Sequence, residues 1–327
     1  MRLTPLLPLL AWCTAISAQT PSITELMARN ATGLKDENSD PSDWIEIHNP
    51  GPGALNLGGW YLTDDAAQLT QWKLPSVSVK ADGYLVVFVS GKDRATQGKP
   101  LHTNFKLDGD GEYLALVKPD GRTLVSNFAP KFPEQRTDIS YGARVGASGQ
   151  GYFTQATPGA RNGKGLPGIV SIAKIQVSHG LHDYPFATAI TCATNGATIR
   201  YTVDGSPPTA TNGKVYSGPL TISKTTVLRT AAFKSNHVTS PTDTQTFVFI
   251  EDVVRQPNNP PGYPKTWGGS AIADYEMDPQ IVNDPAYKDD VRKGLRALPT
   301  ISIALPANQL FGSGGLYPNS QPPLNRG

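Results

Sequence analysis

An acidic run near the N-terminus carries the side chains best suited to binding a metal ion. Asp36, Asn38 and Asp40 place oxygen atoms at alternate positions, and Asp43 follows three residues later. Hard oxygen ligands at the first, third and fifth positions are how an EF-type calcium loop begins. However, Pro41 replaces the glycine expected at the sixth position, and the twelfth position is apolar. The run is therefore a calcium candidate, with solvated β-turns as the favoured alternative.

A second acidic turn, LDGDGEY, also matches only part of a calcium-binding loop. Asp108, Asp110 and Glu112 alternate with glycine, as calcium ligands would, but the rest of a calcium loop is missing. Solvated turns are the favoured interpretation of this segment as well.

Asp204 lies in IRYTVDGSPPT, where it could be a catalytic carboxylate, a metal ligand or a turn residue. A glycosidase carboxylate works with a second acid across a pocket, and no candidate partner lies nearby in the sequence. Asp204 and Gly205 follow an alternating strand pattern, where aspartate caps its own turn and glycine supplies backbone freedom. Pro207 and Pro208 then keep the strand from resuming at once. We therefore interpret Asp204 as a turn residue.

No catalytic constellation is visible in the sequence. Phosphoryl transfer needs a phosphate cradle, a lysine and metal-holding acids, and no P-loop sequence is present. Nucleophilic hydrolysis needs a serine or cysteine with a positioned histidine, but G-x-S-x-G is absent and the histidines are scattered. His179 and His182 are close in sequence, yet Gly180 and Pro185 favour a loop with solvated histidines over a zinc site. We predict no catalytic residue and no cofactor for this chain.

Composition bounds the class of partner. Charged residues make up 17% of the chain, the formal net charge is +2, and no lysine or arginine run exceeds two residues. The concentrated basic face that binds nucleic acid is therefore missing. The 32 glycines and 29 prolines indicate many turns and few long helices.

Residues 1–18 have the pattern of a secretory signal peptide. Arg2 precedes an apolar stretch from Leu3 to about Ile16, and small residues lead to a cleavage position after Ala18. This stretch is too short to span a bilayer. The sequence thus predicts a protein that is secreted, at the cell surface or in the periplasm, without a transmembrane segment. After cleavage, Cys192 would be the remaining cysteine, on the apolar face of a strand, and no internal disulfide would form.

Alternating apolar residues predict a mainly β protein. In DWIEIHN, Ile45 and Ile47 alternate with polar or aromatic neighbours, as in a strand with two different faces. Similar short runs recur through residues 22–162 and 170–249, which predicts two tandem immunoglobulin-like or Fn3-like β-sandwiches. YLVVFVS is apolar on both faces and predicts a central strand. TPGARNGKGLPG predicts an unpacked linker, in which residues 163–169 join the sandwiches.

The character of the chain changes after residue 250. Residues 250–265 are a proline-rich connector. Asn283, Asp284 and Pro285 predict the start of a helix over 286–298, and PTISIAL is a strand candidate. Residues 266–327 thus give an incomplete α/β segment, and we expect the sequence to be the front part of a longer protein.

Residues 22–162 resemble a bacterial version of the lamin tail domain, an immunoglobulin-like β-sandwich. The resemblance rests on ITELMARN, DWIEIHNPGPGALNLGGWYLTDD, NFKLDGDGEYLALVKPDG and TPGARN, which occur in the family's order. It implies an interaction or attachment module without catalysis.

Two further segments resemble known families. Residues 170–249 resemble the chitobiase/β-hexosaminidase C-terminal-like module, an Fn3-type sandwich, through NGATIRYTVDGSPPT and YSGPLTISKTTVLRTAAFKSN. The catalytic carboxylates of those glycosidases lie in a separate domain. Residues 266–327 resemble the opening of the CotH kinase-like family through IADYEMDPQIVND, LRALPTISIALPANQLFGSGGLYPN and LNRG. The phosphotransfer residues of that family would lie beyond Gly327.

Together these features predict an exported, non-enzymatic attachment or spacing protein, whose partner is a protein or a cell-surface polysaccharide. One alternative is the accessory front of an exported CotH-type phosphotransferase. Another is a polysaccharide-binding module, in which Trp44, Trp60, Tyr61 and Trp72 would offer rings for sugar stacking. Core packing is the favoured role for most of these rings, because a sandwich needs large inward side chains.

Overall fold

The computed structural model describes residues 20–267 and 271–319. The predicted signal peptide, residues 1–18, lies outside these ranges, as does the LNRG motif of the CotH-like resemblance. The chain divides into two compact units, Met1–Pro167 and Gly168–Gly327. Each unit is mainly β, which confirms the predicted fold class.

The first unit contains short strands joined by turns. Its strands are β1 Ser22–Met27, β2 Trp44–Asn49, β3 Leu55–Asn56, β4 Tyr61–Thr63, β5 Trp72–Lys73, β6 Ser78–Val79, β7 Gly83–Phe88, β8 Leu114–Val117, β9 Leu124–Phe128, β10 Ser140–Ala143 and β11 Gln150–Phe153.

These strands build two facing sheets and one small pair. One sheet has the order β11-β10-β1-β2-β7, the other β5-β4-β8-β9, and β3 pairs with β6. Ile45 and Ile47 of β2 pack with Leu62 of β4 and Leu116 of β8 in one core cluster, and all four are fully buried. The alternation seen in DWIEIHN therefore directs its isoleucines into the sandwich core and Trp44, Glu46 and His48 to the outer face of the sheet.

Strand β7 lies at the edge of its sheet, so the prediction of a central strand was wrong. Its edge is covered locally, because the Phe88 amide donates to the Leu101 carbonyl at 2.8 Å and the Thr103 amide donates to the Phe88 carbonyl at 2.9 Å. The outer side of Phe88 packs with Met27 and Trp44. An edge strand with both faces covered carries the same apolar pattern as a central one.

Residues 154–162, called the strap below, pack on the outer face of the five-stranded sheet. Ala156 packs against the Met27–Trp44 cluster, and Asn162 is buried. Further along, the amide and carbonyl of Leu166 each bond to Tyr152 at 2.8 Å. Half of the residues in TPGARNGKGLPG are exposed, as its glycines and prolines lead one to expect, but Asn162 is buried. Several of its polar groups also have partners in distant strands.

The second unit contains further strands and the helices of the chain. Its elements are β12 Gly168–Ile169, β13 Lys174–Ile175, β14 Gly180–His182, β15 Phe186–Thr188, β16 Ile190–Thr191, β17 Thr198–Thr202, β18 Lys214–Val215, β19 Leu220–Ile222, β20 Thr226–Phe233, β21 His237–Val238, β22 Asp243–Phe249, α1 Ile250–Val254, β23 Thr266–Trp267, β24 Ala271–Ile272, α2 Pro279–Val282, α3 Lys288–Ala297 and α4 Ala307–Phe311.

One sheet of this unit has the order β14-β22-β20-β17-β18, and the pairs are β13-β16, β15-β19, β12-β21 and β23-β24. Phe247 of β22 and Leu228 of β20 are fully buried, and they share a core cluster with Ile190 of β16 and Ile222 of β19. Cys192 packs against this cluster, and its thiol donates to the Ser171 carbonyl at 3.3 Å. It is the free cysteine of the described residues.

The segment with two histidines contains a short strand that includes His182 and begins directly after His179. Gly180–His182 forms β14 and pairs in parallel with β22, so the expected loop was wrong. His182 stacks on Phe186 with ring centroids 4.3 Å apart, whereas His179 bonds to Gln245. The two imidazoles thus serve different neighbours, and they do not converge on one position.

The predicted helix over 286–298 forms as α3, at Lys288–Ala297. Asp284 does not cap it: the Asp284 carboxylate accepts the Ala286 amide at 2.7 Å in the preceding turn. Val291 and Leu295 pack against a small apolar cluster that includes Ile250. The strand candidate PTISIAL forms no strand in the described chain, and Ile301 is 88% exposed and Ile303 68% exposed.

Candidate functional site

The loop that carries the predicted calcium ligands is organised around the buried carboxylate of Asp36. Its Oδ1 accepts the amides of Asn38 and Asp40 at 2.9 and 3.1 Å, and its Oδ2 accepts the Ser42 hydroxyl at 2.8 Å. The ammonium of Lys92 donates to the same Oδ2 at 2.5 Å. Burial alone would raise the pKa of Asp36, but these hydrogen bonds, led by that from Lys92, hold it far below its ordinary value.

Lys92 takes the position where a bound cation would be expected. Its Nζ lies 2.5 Å from Asp36, 2.8 Å from Asp40 and 3.4 Å from the side-chain oxygen of Asn38. The hydrogen bonds that Lys92 donates to Asp36 and then to Asp40 raise the pKa of Lys92, so the ammonium stays charged. The structure thus brings three of the four predicted calcium ligands together, around an ammonium supplied by the chain.

The fourth predicted ligand, Asp43, has another role. Its Oδ1 accepts the Asn30 amide at 2.9 Å, and burial raises its pKa. Calcium binding stays a prediction, and an ion bound by Asp36, Asn38 and Asp40 would have to displace Lys92.

A histidine joins this cluster from a distant part of the chain. Donor atoms of Asp36, Glu37 and His102 lie within 4.8 Å of one another, a spacing at which a metal ion could be held. His102 is fully buried, its Nδ1 lies 2.8 Å from the Ser90 hydroxyl, and its Nε2 lies 2.9 Å from Glu37. Sequence reasoning missed this contact, because 65 residues separate His102 from Glu37.

Arginine and lysine neutralise the same carboxylates. The Arg94 guanidinium donates to Glu37 and, at 2.7 Å, to Asn38. His102 first, and then other groups including Arg94, lower the pKa of Glu37 to about 2. Because Asp36 and Glu37 already face two permanent cations, the cluster can hold the loop in place without a metal ion.

An open pocket of about 460 Å³ adjoins this cluster. Arg29, Asp40, Asp43, Lys92 and Lys106 line it, so both signs of charge meet there. Arg29 is paired with Asp110 at 2.5 Å. Lys106 is exposed, and its side chain forms no hydrogen bond or ion pair with a described residue, although its charge partly offsets the rise that burial causes in the pKa of the neighbouring Asp43. This pocket can take a polar or charged group from outside.

The remaining acidic candidates form turns. The Glu112 carboxylate accepts the Asp108 amide at 2.6 Å, and Asp108 accepts the Asp110 amide at 2.8 Å. In the second unit, Asp204 accepts both the amide and the hydroxyl of Ser206, at 3.0 and 2.6 Å. These bonds lower the pKa of Asp204, and Gly205 has φ of +78°. The predicted turn role of Asp204 is confirmed.

The large aromatic rings of the first unit are mostly inward. Trp44, Trp60 and Trp72 are buried, and Tyr61 is half-buried. Trp72 also donates its indole N–H to Asp93 at 3.2 Å. These tryptophans therefore pack the unit and do not offer a flat surface to a sugar ring.

Two family models match parts of the chain. Residues 14–130 match the Lamin Tail Domain, and residues 188–247 match the model described as Fn3 associated. The lamin-tail resemblance is thereby confirmed over the first match. The chitobiase-like and CotH-like resemblances stay predictions.

Comparisons with whole proteins are less informative. A search of curated proteins found no match. Among solved structures, the C-terminal 282-residue fragment of intimin, in complex with the intimin-binding domain of the translocated intimin receptor, is similar at 14% identity. The match covers 71% of each chain with a TM-score of 0.22. In the described part of the present chain, every helix is too short or too polar to cross a bilayer.

Proposed function

We propose that this chain is a non-catalytic interaction protein, which binds a partner protein through the charged pocket of its first unit. The observation that carries the proposal is the open pocket in which the exposed side chain of Lys106 forms no ion pair with a described residue. The match to the Lamin Tail Domain supports an interaction role. Asp36, Glu37 and Asp204 hold loops and turns through their own partners, which supports a role without catalysis for these acids.

The charges around the pocket indicate the chemistry of the partner. Lys92 is paired with Asp40 and Arg29 with Asp110. The ammonium of Lys106 has only the charge of the half-buried Asp43 near it among the described residues, so it can still meet a new group. A carboxylate on an acidic segment of the partner would fit beside it. Exposed pairs of this kind set association rate and specificity more than affinity, so we expect salt-sensitive binding.

Charge reversal at Lys106 tests this function. The labelled full chain should bind to cells of the producing organism, and Lys106→Glu should reduce that binding about fivefold or more, which corresponds to about 1 kcal/mol. Lys99→Glu is the matched control, because Lys99 is also exposed and lies outside the pocket. Equal binding of the two variants and the natural protein would refute the pocket as the docking site. Loss of binding after glycan-degrading treatment of the cells, and not after proteolysis, would indicate a polysaccharide partner.

We also propose that the protein is exported and anchors or spaces a larger assembly at the cell surface or outside the cell. The signal-peptide pattern of residues 1–18 supports export. Mass spectrometry of the secreted and surface fractions should find a mature chain that begins at Gln19. A chain recovered only from the cytoplasm with Met1 or Arg2 at its start would contradict export.

A second candidate is an accessory role for a CotH-type kinase-like region. The exposed side chains of Leu298, Ile301 and Ile303 favour it, because an apolar surface of this kind is normally covered by further polypeptide. Reading the coding DNA after codon 327 tests it directly. Further CotH-like codons would support an accessory role, and a stop codon would contradict it. The polysaccharide-binding alternative gains no support from Trp44, Trp60 or Trp72, which are buried.

A further inference from the structure

Two glutamates lie side by side on the outer face of the first sandwich. Glu25 of β1 and Glu46 of β2 are opposite each other in the strand register. They alternate with the core residues Leu26, Ile45 and Ile47, so they project from the other face of the sheet. Even so, both glutamates are fully buried. Fully buried carboxyls are uncommon and need partners.

The strap supplies many of the partners of these two carboxyls. The amide and hydroxyl of Thr157 donate to Glu25, the hydroxyl at 2.8 Å. The Gly159 amide donates to Glu46 at 2.7 Å. Asn162 then fixes the end of the strap by donating to the carbonyls of two sheet residues at 2.9 Å each. The strap is thus fastened to the sheet largely through these two carboxyls.

The sheet itself supplies further donors. The hydroxyl of Ser140 donates to Glu25, and the hydroxyl of Thr24 donates to Glu46 at 2.6 Å. Neither glutamate forms an ion pair with a described residue. Every partner of the pair in the described chain is therefore neutral, and no permanent cation offsets a second negative charge.

The charges that surround the pair come from three elements. His48 of β2 is bonded to Asp82 at 2.8 Å and stacks on Tyr84 of β7. Arg161 of the strap is exposed, and it forms no ion pair within the described chain. These groups lie at the periphery, where solvent screens their effect on the glutamates.

Burial and mutual repulsion work in the same direction at this pair. Burial raises the pKa of Glu25, and burial together with the neighbouring Glu25 carboxylate raises the pKa of Glu46 to about 7. Two carboxylates that share a site cannot both ionise without a large rise in one pKa. The folded unit therefore holds a proton that an unfolded chain would release well below neutrality.

We propose that the strap is a proton-dependent latch, which is closed while the Glu25–Glu46 pair holds a proton and loosens when both carboxyls are ionised. Loosening lets water reach the two charges, which is the least disruptive way to relieve their repulsion. It also uncovers the apolar cluster beneath Ala156, which contains Met27 and Trp44. The strap leads directly into residues 163–167, which end the first unit. Acidity therefore controls how firmly this C-terminal end of the unit is attached to the sheet.

Hydrogen exchange of strap amides tests the latch in the full chain. After correction for intrinsic exchange rates, protection of the Thr157 and Gly159 amides should fall about tenfold or more between pH 5 and pH 8, since each unit of pKa shift corresponds to a factor of ten. In Glu46→Gln, which keeps a neutral acceptor at the same position, protection at pH 8 should match that at pH 5. Glu134→Gln, an exposed glutamate paired with Arg136, should behave as the natural protein does.

Either of two results from hydrogen exchange would overturn the latch. One is equal protection of both amides at pH 5 and pH 8 in the natural protein. The other is an unchanged pH dependence in Glu46→Gln. A measurement that needs no variant guards against misfolding: the side-chain carboxyl ¹³C resonance of Glu46 should titrate near pH 7 in the natural protein. A midpoint near the ordinary glutamate value would also contradict the proposal.

Discussion

The two units of the chain bury different kinds of polar side chain. The first buries titratable groups, whereas those of the second are hydroxyls. Among the described residues the sets include Glu25, Asp36, Glu46 and His102 in the first unit, and Thr188, Thr202, Thr230 and Ser240 in the second. A buried carboxylate demands specific partners and tolerates few alternative arrangements. The first unit thus fixes its loops with charge, and the second relies on apolar packing and neutral hydrogen bonds.

The two units also differ in how many large hydrophobic side chains they expose. Leu124 is the exposed large hydrophobic residue of the described first unit. The described second unit exposes many, of which Tyr184, Ile272 and Ile301 are more than 80% exposed. The first unit is therefore closed by its own loops, whereas the second presents apolar side chains that further polypeptide could cover.

The largest effect on stability is expected at Lys92, the cation that is paired with the buried carboxylate of Asp36. Lys92→Met should lower the free energy of unfolding of the first unit by roughly 3–5 kcal/mol, because it leaves a buried carboxylate without its charged partner. Urea denaturation of the full chain, followed with probes in each unit, should show an earlier transition in the first unit alone. Lys99→Met, at an exposed lysine without a partner, should leave both transitions in place. A loss below about 1 kcal/mol in Lys92→Met would mean that solvent already satisfies Asp36.

The same variant decides whether the loop can bind calcium. Millimolar calcium should leave the Tm of the natural protein unchanged, because the Lys92 ammonium lies between the ligands Asp36 and Asp40. In Lys92→Met, calcium should raise the Tm, since binding to the folded state alone stabilises it. A calcium-dependent rise in the natural protein would contradict occupation by Lys92. No rise in either protein would refute the calcium site.

A smaller effect is expected from acidity, again in one unit only. Because the pKa of Glu46 is raised in the folded state, its contribution is fully present below the ordinary glutamate pKa and declines as pH rises through about 7. The first unit should therefore be more stable at pH 5 than at pH 8, by about 2 kcal/mol.

The second unit should change less over this range, because two of its described acids, Asp204 and Glu251, have lowered pKa values and stay ionised throughout it. Denaturation at several pH values checks both statements. A first unit that is equally stable at pH 5 and pH 8, or that is less stable at pH 5, would contradict the expected direction of the pH dependence.

The smallest change in stability is expected at the exposed apolar surface. Ile301→Lys should alter the unfolding free energy by less than about 0.5 kcal/mol, since Ile301 is 88% exposed. It should nevertheless reduce binding of a hydrophobic dye. Ile190→Lys is the contrasting variant, because Ile190 is buried in the core cluster of the same unit, and it should prevent folding of that unit. Equal destabilisation by both variants would show that Ile301 is covered in solution.

Much of the β architecture could be predicted from local patterns. The alternation around Ile45 and Ile47 placed these residues in a core, and the turn role of Asp204 followed from its neighbours. Such features can be read from sequence patterns that are only a few residues long. The sequence did not predict β14, because Gly180 and Pro185 favour a loop. The strand forms by pairing with β22, which lies more than 60 residues away in the sequence.

The site and the strap could not be predicted for the same reason. The amide of Thr157 meets Glu25 across 132 residues, and the amide of Gly159 meets Glu46 across 113. Glycine and proline make a segment look unpacked when only its own sequence is considered. Its backbone amides are nevertheless good donors, and a buried carboxylate elsewhere in the chain can hold them. Lys92 was likewise invisible as the cation of the acidic loop, because 56 residues separate it from Asp36.

The half-buried thiol of Cys192 gives the second unit a reporter of its own. A thiol reagent should modify Cys192 faster when the packing around Ser171 and the core cluster opens. The increase in the rate of modification, measured by mass spectrometry, would then report local opening of the second unit. Because the described part of the first unit contains no cysteine, the same reaction leaves its charged network untouched while the two units are followed side by side.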